Sequence, residues 1–318
     1  MSRGEPLSRL NDMAGHGAPD GDTSKTAPDP LATFNEHRGL LFSIAYRMMG
    51  TVADAEDVLQ DAYIRWQQSV RDDIRSPKAF LVTIVSRLCI SQLNSGHMQR
   101  EEYVGQWLPE PIVTDSASDP ASGVSADESI SMAFLVLLER LNPVERAVFL
   151  LREVFEYDYD EISAAVGRSE ANCRQILRRA KEHVHAARPR FTPSTSKQSE
   201  LLARFVQAAT RGDLDALVAL LASDAVLHTD GGGKAPALPN LVHGSSSIAR
   251  AILGGMAKFA PKAFATRLVQ INGQPGFVSY VNGKPAIALV LHINDDEIQT
   301  IFAISNPAKL EHLPAAPS

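Results

Sequence analysis

The chain has 318 residues, a formal net charge of −6 and 44% hydrophobic residues. It is too long for one typical domain, and its apolar content is sufficient for two or three hydrophobic cores. No run of about eighteen apolar residues indicates a transmembrane helix, and the first 30 residues lack the apolar segment of a secretory signal. We therefore expect a multidomain cytoplasmic protein that makes no contact with a membrane.

The amino-terminal third divides into a tail and a helical region. Residues 1–31 are rich in Gly, Pro, Asp and Ser, which predicts a disordered tail. Residues 32–103 carry apolar side chains at helical spacing, interrupted at Gly50 and at Ser76-Pro77. They are predicted to form a first all-α domain of three helices.

A linker is predicted at 104–128, where three prolines and five acidic residues occur without a Lys or Arg. Its first motif, WLPEP (107–111), is expected to be extended because residues before proline avoid helical angles. Trp107 either anchors the linker on a domain or has a function of its own, and the sequence leaves both readings open.

A second all-α domain is predicted at 129–190, and it ends in two short helices joined by a turn. Gly167 ends the first of these helices, and Ser169 is positioned to cap the second. Between residues 168 and 190 there are seven Lys or Arg and two Asp or Glu, a local balance of +5. This local field suits phosphate binding even though the whole chain is acidic, because charges are screened over about 8 Å.

The pattern is typical of a helix-turn-helix, whose second helix enters the major groove of DNA. An ordinary helical hairpin with a solvated basic face is the alternative. The forked donors and acceptors of Arg, Asn and Gln match base edges, whereas Arg179 and Lys181 are better placed for phosphates. The residues predicted to face DNA are Ser169, Glu170, Asn172, Arg174, Gln175, Arg178, Arg179 and Lys181.

Residues 197–312 begin with apolar residues at helical spacing and continue with segments in which apolar and polar residues alternate. Helices are predicted at 199–210 and 213–222, and Asn-Gly pairs at 272 and 282 indicate tight turns between strands. An antiparallel meander covered by helices makes this an α+β domain. The predicted strands are 225–230, 264–273, 275–283, 285–294 and 297–306.

Taken together, the motifs resemble a known family. GTVADAEDVLQDAYIRWQQ (50–68), SPKAFLVTIVSRLCISQLN (76–94) and the helix-turn-helix resemble, in order and spacing, the two helical domains of extracytoplasmic-function sigma factors. The resemblance implies core RNA polymerase and promoter DNA as partners, with no cofactor and no metal. It implies that the first motif binds polymerase, the second captures bases of the melted −10 element, and the helix-turn-helix reads the −35 element. The residues implied are Asp54, Glu56, Asp57, Gln60 and Asp61 for polymerase, and Arg75, Lys78, Arg87 and Asn94 for the −10 element.

Three further motifs resemble the signatures of a subgroup of these sigma factors. The subgroup carries a C-terminal extension with the SnoaL-like fold, a cone-shaped α+β barrel of the ketosteroid-isomerase superfamily. The resemblance implies that the extension tunes sigma activity and that the linker and the second motif contact one another or the sigma domains. The motifs are WLPEP (Trp107, Leu108, Pro109, Glu110, Pro111), DGGGK (Asp230, Gly231, Gly232, Gly233, Lys234) and NPAKL (Asn306, Pro307, Lys309, Leu310 around Ala308).

The third domain leaves several functions open. DGGGK is not a phosphate-binding loop, because Ala235 stands where that motif needs Ser or Thr. Satisfied polar residues or a small-ligand pocket are favoured over an acid–base pair, and we expect no catalysis. For the whole chain, a polymerase-independent DNA-binding regulator and an isomerase or hydrolase domain fused to a DNA-binding module are the alternatives. The candidate cavity-lining residues are His228, Asp230, Tyr280 and His292.

Overall fold

The computed structural model describes residues 29–69, 74–101, 103–113, 131–185, 195–259, 264–294 and 296–316. The predicted disordered tail, apart from its last three residues, lies outside this description. So do the linker acids Asp115, Asp119, Asp127 and Glu128.

The first helical domain contains α1 (Pro30–Met49), α2 (Val52–Gln68) and α3 (Pro77–Glu101). Gly50 ends α1 with a φ of +80°, a conformation that glycine adopts without steric cost. The Thr51 hydroxyl then accepts a hydrogen bond from the Asp54 amide and caps α2. The sharp corner at Gly50 brings the start of α2 to the surface that the linker later contacts.

The second helical domain contains α4 (Met132–Leu138), α5 (Pro143–Glu153), α6 (Tyr159–Val166) and α7 (Glu170–His185). Gly167 has a φ of +65°, and Ser169 accepts a hydrogen bond from the Asn172 amide at 3.3 Å. Cys173 and Leu177 are buried. The predicted turn, cap and inward-facing stripe of the helix-turn-helix are therefore confirmed.

One apolar core runs through both helical domains. Leu41 and Val85 from the first domain belong to the same buried cluster as Val148 and Ile162 from the second. Helix α3 packs on both α5 and α6. In this structure the two helical domains are therefore packed directly against each other.

The C-terminal domain holds three helices and a six-stranded sheet in the order β2-β1-β6-β5-β4-β3. The predicted antiparallel meander is confirmed for β3 to β6, but β1 pairs with β6 in parallel. An all-antiparallel arrangement was wrong because the chain crosses from β1 through α10 to the far edge, so β6 returns beside β1 in the same direction. The elements are α8 (Thr195–Arg211), α9 (Leu214–Leu220), β1 (Leu221–Asp230), β2 (Val242–His243), α10 (Ser245–Phe259), β3 (Ala265–Ile271), β4 (Gln274–Val281), β5 (Lys284–Asn294) and β6 (Glu297–Ile304).

The two faces of this sheet have different covers. Helices α8, α9 and α10 pack on one face through a cluster that includes Phe205 and Ile301. The other face, with Val290 and Phe302, buries Leu108 of the linker, Met132 of α4 and the end of the chain. As predicted, two all-α domains precede an α+β domain, and one face of its sheet is occupied by the rest of the chain.

Candidate nucleic-acid interface and the linker joint

Helix α7 presents the predicted DNA-facing side chains to solvent. Arg174 donates to the Glu170 carboxylate at 2.9 Å, and its guanidinium lies 4.5 Å from the centre of the Tyr159 ring. Lys181 forms an ion pair with Glu153 at 2.8 Å. Ion pairs of this kind at a surface contribute little free energy, so they are readily exchanged for contacts to DNA. The exposed members of the set are Ser169, Glu170, Asn172, Arg174, Gln175, Arg178 and Arg179, and Lys181 is half-buried.

The predicted polymerase-binding residues form two groups on α2. Asp57, Gln60 and Asp61 are exposed. By contrast, Glu56 accepts from the Arg38 guanidinium at 2.6 Å, and the Asp54 carboxylate accepts from the Thr51 hydroxyl at 2.5 Å.

Sequence reasoning missed one member of this surface. Ile64 lies one turn after Gln60 and is 49% exposed, so it adds an apolar side chain to the exposed face of α2. Its helical spacing from Gln60 and Asp61 is the signal that could have identified it.

Two of the four predicted −10 residues contact the second helical domain. The Arg87 guanidinium donates to the carbonyl oxygens of Ala164 at 2.7 Å and Ala165 at 3.2 Å, at the end of α6. The Lys78 ammonium lies 5.7 Å from the centre of the Tyr157 ring. Arg75 and Asn94 are exposed. The helix-turn-helix domain thus covers part of the surface that is predicted to capture the −10 element.

We call this contact between the two helical domains the helical interface; its polar part consists of Lys78, Arg87 and Arg146 with their partners. Buried Arg146 donates to the Met48 carbonyl and to Glu139, each at 2.6 Å. A cavity of about 680 Å³ lies on the interface, and Arg75, Phe80 and Glu161 are among the residues that line it. Burial, followed by the charge of Glu161, raises the pKa of Tyr157 to about 12. Within the described residues, the Tyr157 hydroxyl and Arg146 Nε have no hydrogen-bond partner. The interface is therefore incompletely packed and incompletely satisfied.

The WLPEP motif of the linker lies against the corner between α1 and α2. A Cβ atom on Gly50 would lie 2.4 Å from the Trp107 ring, so only glycine allows the indole to approach this closely. The Glu110 amide donates to the Gly50 carbonyl at 2.8 Å, and the Tyr46 hydroxyl donates to the Glu110 carbonyl at 2.7 Å. The Val52 amide at the start of α2 donates to Glu110 Oε2 at 2.7 Å, where the helix dipole favours a carboxylate.

The opposite side of the same motif is held by Asp230, which is fully buried. Asp230 Oδ1 accepts from the Tyr103 hydroxyl at 2.5 Å and from the Gly232 amide at 3.1 Å. Asp230 Oδ2 accepts from the Leu108 amide at 2.9 Å and from Lys309 Nζ at 2.7 Å. A carboxylate offers about four acceptor positions, and all of them are used here. Asp230 is thus the satisfied polar residue that was favoured over an acid–base role.

Lys309 and Asn306 of NPAKL complete the contact. The Lys309 ammonium also donates to the Leu108 carbonyl and lies 4.2 Å from the centre of the Trp107 ring. Asn306 Nδ2 donates to the Tyr103 hydroxyl at 2.8 Å. We call the contact of WLPEP and Tyr103 with Asp230, Gly232, Asn306 and Lys309 the linker joint. Trp107 is an anchor within it, and the predicted contact between the linker and DGGGK is confirmed.

Glycine is required where DGGGK approaches NPAKL. Gly232 has a φ of +57°, and a Cβ there would lie 2.3 Å from Asn306 Nδ2. A Cβ on Gly231 would lie 2.3 Å from the Ala235 carbonyl. The glycines thus form a close turn, with Gly233 and Lys234 exposed at its tip.

The C-terminal domain holds the described part of the linker and the start of α4. Beyond Pro111, the Ile112 amide donates to Asn272 Oδ1 at 3.1 Å, and the Asn272 amide donates to the Ile112 carbonyl at 2.8 Å. At the start of α4, the Met132 amide donates to Gln274 Oε1 at 3.3 Å. The covered sheet face thus binds the exit from the first helical domain and the entry to the second.

The other candidate cavity residues are not grouped around a shared site. The His228 ring packs 5.2 Å from the Phe302 ring, and burial, followed by the charges of Arg140 and His243, lowers its pKa to about 4. Burial also lowers the pKa of His292. Tyr280 is buried in the cluster that contains Leu108, on the face opposite to the helices, so its placement in a cone-shaped cavity was wrong. No group of three or more His, Cys, Asp or Glu suited to a metal ion occurs in the part of the chain that the structure describes.

These features define a class of protein: a DNA-binding protein with a helix-turn-helix, a second helical domain and a fused α+β domain that holds the connection between them. The family models of sigma-70 region 2 and sigma-70 region 4 match residues 33–97 and 131–184. Among the described residues, no helix is long and apolar enough to cross a bilayer.

Relatives of known class match nearly the whole chain. The chain is 37% identical over 296 residues to ECF RNA polymerase sigma factor SigJ of Mycobacterium tuberculosis, covering 89% of this chain and 94% of the relative. It is 30% identical over 291 residues to the probable ECF sigma factor SigI of the same organism, covering 90% and 97%. The crystal structure of M. tuberculosis SigJ matches with a TM-score of 0.73, covering 88% of this chain and 98% of that chain at 36% identity. The chain belongs to the extracytoplasmic-function family of RNA polymerase sigma factors.

Proposed function

We propose that the protein binds core RNA polymerase, recognises the −10 and −35 promoter elements and initiates transcription, and that its C-terminal domain restrains this activity. The observation that carries the restraint is that one sheet face binds both the described part of the linker and the start of α4 while the helical domains are packed together. The protein acts in the cytoplasm, where polymerase and the chromosome are. The proposal assigns no chemical reaction to the chain.

The packed arrangement is the inactive form in this proposal. The two promoter elements lie about 25 base pairs apart, or about 85 Å of B-DNA at about 3.4 Å per base pair. Here Arg87 of the −10 surface is in hydrogen-bond contact with the helix-turn-helix domain at Ala164. The domains must separate before both elements are contacted, and separation requires the linker to leave the sheet face.

Binding to polymerase comes first in the proposed sequence of events. Asp57, Gln60, Asp61 and Ile64 are exposed while the helical domains are packed together, so α2 is available to the polymerase clamp. The remaining polymerase candidates, Asp54 and Glu56, shape the start of α2 through the contacts described above. Because WLPEP contacts the same end of α2, polymerase binding and linker release are physically coupled.

A run-off transcription assay with core polymerase tests the proposal. Full-length protein should give promoter-dependent transcripts, and Lys309→Met should give more of them because it frees the linker joint without touching a predicted DNA or polymerase contact. Absence of any promoter-dependent transcript from both proteins, at any salt concentration, would contradict the sigma function. Equal output from both would contradict the restraint.

Base reading by α7 is tested on the Lys309→Met background. Replacing Arg174 with Ala should weaken binding by about 1–3 kcal/mol for promoters with the matching base and relax specificity there. Replacing Lys181 with Ala should weaken all promoters alike. Competition binding across a set of −35 variants measures both effects, and identical profiles would show that the groove assignment is wrong.

The two alternative functions predict different results. A polymerase-independent regulator would bind promoter DNA but fail to co-purify with core enzyme. An enzyme domain would need a free catalytic group, whereas Asp230 has no acceptor position left. A small ligand of the C-terminal domain stays a prediction.

A further inference from the structure

His312, two residues beyond NPAKL, has a hydrogen-bond acceptor at each ring nitrogen. Its Nδ1 lies 2.5 Å from Glu110 Oε1, and its Nε2 lies 2.8 Å from the Pro111 carbonyl oxygen. A neutral imidazole carries one N–H and one lone pair, so it can satisfy only one of these oxygens. The imidazolium donates to both. The geometry therefore selects the charged form of His312.

Glu110 connects this imidazole to the first helical domain. The residue is 5% exposed, and its second carboxylate oxygen accepts from the Val52 amide at the start of α2. Burial of a carboxylate costs free energy unless donors surround it, and the donors here are His312 and the helix N-terminus. One carboxylate thus ties the end of the chain, the linker and the predicted polymerase-binding helix together.

We propose that His312 is a proton-controlled fastener of the linker: as an imidazolium it holds Glu110 and Pro111 against the start of α2, and it releases them when it loses its proton. The inference rests on the proposed function, because release of the linker matters only if the linker restrains the helical domains. It adds a signal, a rise in pH, that the proposed function does not contain.

The charged and titratable groups around the imidazole are few. Among the described residues, Glu110 of the linker is the charged group that acts on it, and Tyr46 of α1 contacts the Glu110 carbonyl from the far side. On its own segment, Lys309 is bound to Asp230 and Glu311 is exposed. Burial lowers the pKa of His312, but the hydrogen bond and charge of Glu110 and the Pro111 carbonyl outweigh it, so the net pKa lies above the ordinary histidine value.

The sign of the pH effect follows from that direction. A histidine whose pKa is raised in the folded state stabilises that state fully below its ordinary value of about 6.5, and the stabilisation is lost as pH rises through the raised value. Alkaline conditions should therefore loosen the linker at Glu110. Acid conditions should keep it fastened.

An NMR titration of the full-length protein labelled at histidine Cε1 measures the protonation directly. The resonance absent from His312→Gln identifies the residue, and we expect it to titrate with a midpoint above the ordinary value of about 6.5. A His312 midpoint at or below the ordinary value would overturn the proposal.

Linker release is measured by fluorescence of Trp107. Trp66→Phe leaves Trp107 as the sole tryptophan, because the chain has two. The Trp107 signal should change with pH at the midpoint found by NMR, and His312→Arg, which keeps a cation at every pH, should hold the low-pH signal throughout. A pH transition that persists unchanged in His312→Arg would overturn the release step.

Amide hydrogen exchange at Val52 tests the same step if Trp66→Phe fails to fold. In the wild type, protection of this amide should fall as pH rises through the His312 midpoint, after correction for the intrinsic exchange rate. In His312→Arg the protection should stay constant. An equal loss of protection in both proteins would overturn the release step.

Transcription separates this inference from the proposed function. The ratio of wild-type to His312→Arg transcripts cancels the pH dependence of polymerase itself, and it should rise severalfold as pH increases through the His312 midpoint found by NMR, because the imidazolium is lost there. A constant ratio would overturn pH control. Absence of transcripts from both proteins would instead contradict the sigma function, while the NMR result would still decide the charge state of His312.

Discussion

The helical interface and the linker joint differ in how completely they satisfy their polar groups. At the helical interface, arginines donate to backbone carbonyls, the buried Tyr157 hydroxyl lacks a partner among the described residues, and a cavity of about 680 Å³ remains. At the linker joint, the buried Asp230 carboxylate has all four acceptor positions filled, and Lys309 sits against it with a side chain 7% exposed.

The two contacts therefore differ in the free energy that is needed to break them. At the helical interface, the shared apolar core resists separation, but an open groove and a partnerless Tyr157 hydroxyl reduce the cohesion of its edge. A buried ion pair with complete hydrogen bonding is costly to break, because each charge left behind is unpaired. We therefore infer that the linker joint adds to the shared apolar core a second, fully hydrogen-bonded restraint that keeps the molecule closed.

The largest effect is expected at Asp230. Replacing it with Asn leaves the buried Lys309 charge without its counter-ion, which costs about 3–5 kcal/mol for pairs of this kind. Urea denaturation followed by fluorescence in the Trp66→Phe background, where Trp107 is the sole tryptophan, measures the loss. Asp224→Asn is the matched control, because Asp224 is exposed and accepts one hydrogen bond, from Gln299 at 3.1 Å. A loss no greater than that of the control would show that the joint is not the strong contact.

An intermediate effect is expected at Gly232. Ala at this position meets Asn306 and also requires a positive φ, so we expect a loss of about 2–3 kcal/mol from strain and displaced packing. Gly212→Ala isolates the backbone contribution, because Gly212 has a φ of +68° and a Cβ there would have no neighbour within 4 Å. Thermal unfolding of both variants gives the difference. Equal losses would mean that the contact between DGGGK and NPAKL adds no stability.

The smallest effect is expected at Arg87. Ala removes two hydrogen bonds from a partly exposed guanidinium to the end of α6, and solvent screening limits the cost to about 1 kcal/mol. Fluorescence energy transfer between dyes on α2 and α7 should show a modest increase in the fraction of molecules whose two helical domains are separated. The same variant combined with Asp230→Asn should open far more. An Arg87→Ala protein that opens as fully as Asp230→Asn would reverse the ranking of the two contacts.

Local sequence signals predicted the helical half of the molecule well. Gly167 and Ser169 mark the turn and cap of the helix-turn-helix within three residues, and each acts on backbone groups beside it in the chain. The outward positions of Arg174 and Gln175 follow from the helical period once the buried face is known. The fold class and domain order could be predicted without knowing any contact between distant residues.

The linker joint was predicted only as a contact between motifs. Nothing in the chain pairs Tyr103 with Asp230, 127 residues away, or His312 with Pro111, 201 residues away. The same holds for the parallel pairing of β1 with β6, which depends on where the crossover through α10 delivers the chain.

The helices of the two helical domains, the caps of the helix-turn-helix, the strands of the meander and the exposed cationic face of α7 follow from the sequence, because these depend on groups a few residues apart. Helix α10 was not located, and the predicted helix at 213–222 was wrong at its end, because β1 begins at Leu221. Only in the folded chain does one sheet face bind both the described part of the linker and the start of α4, Asp230 become buried with Lys309, and His312 meet Glu110. The physical reason is that burial of apolar faces chooses which distant segments meet, and only then do their polar groups find partners.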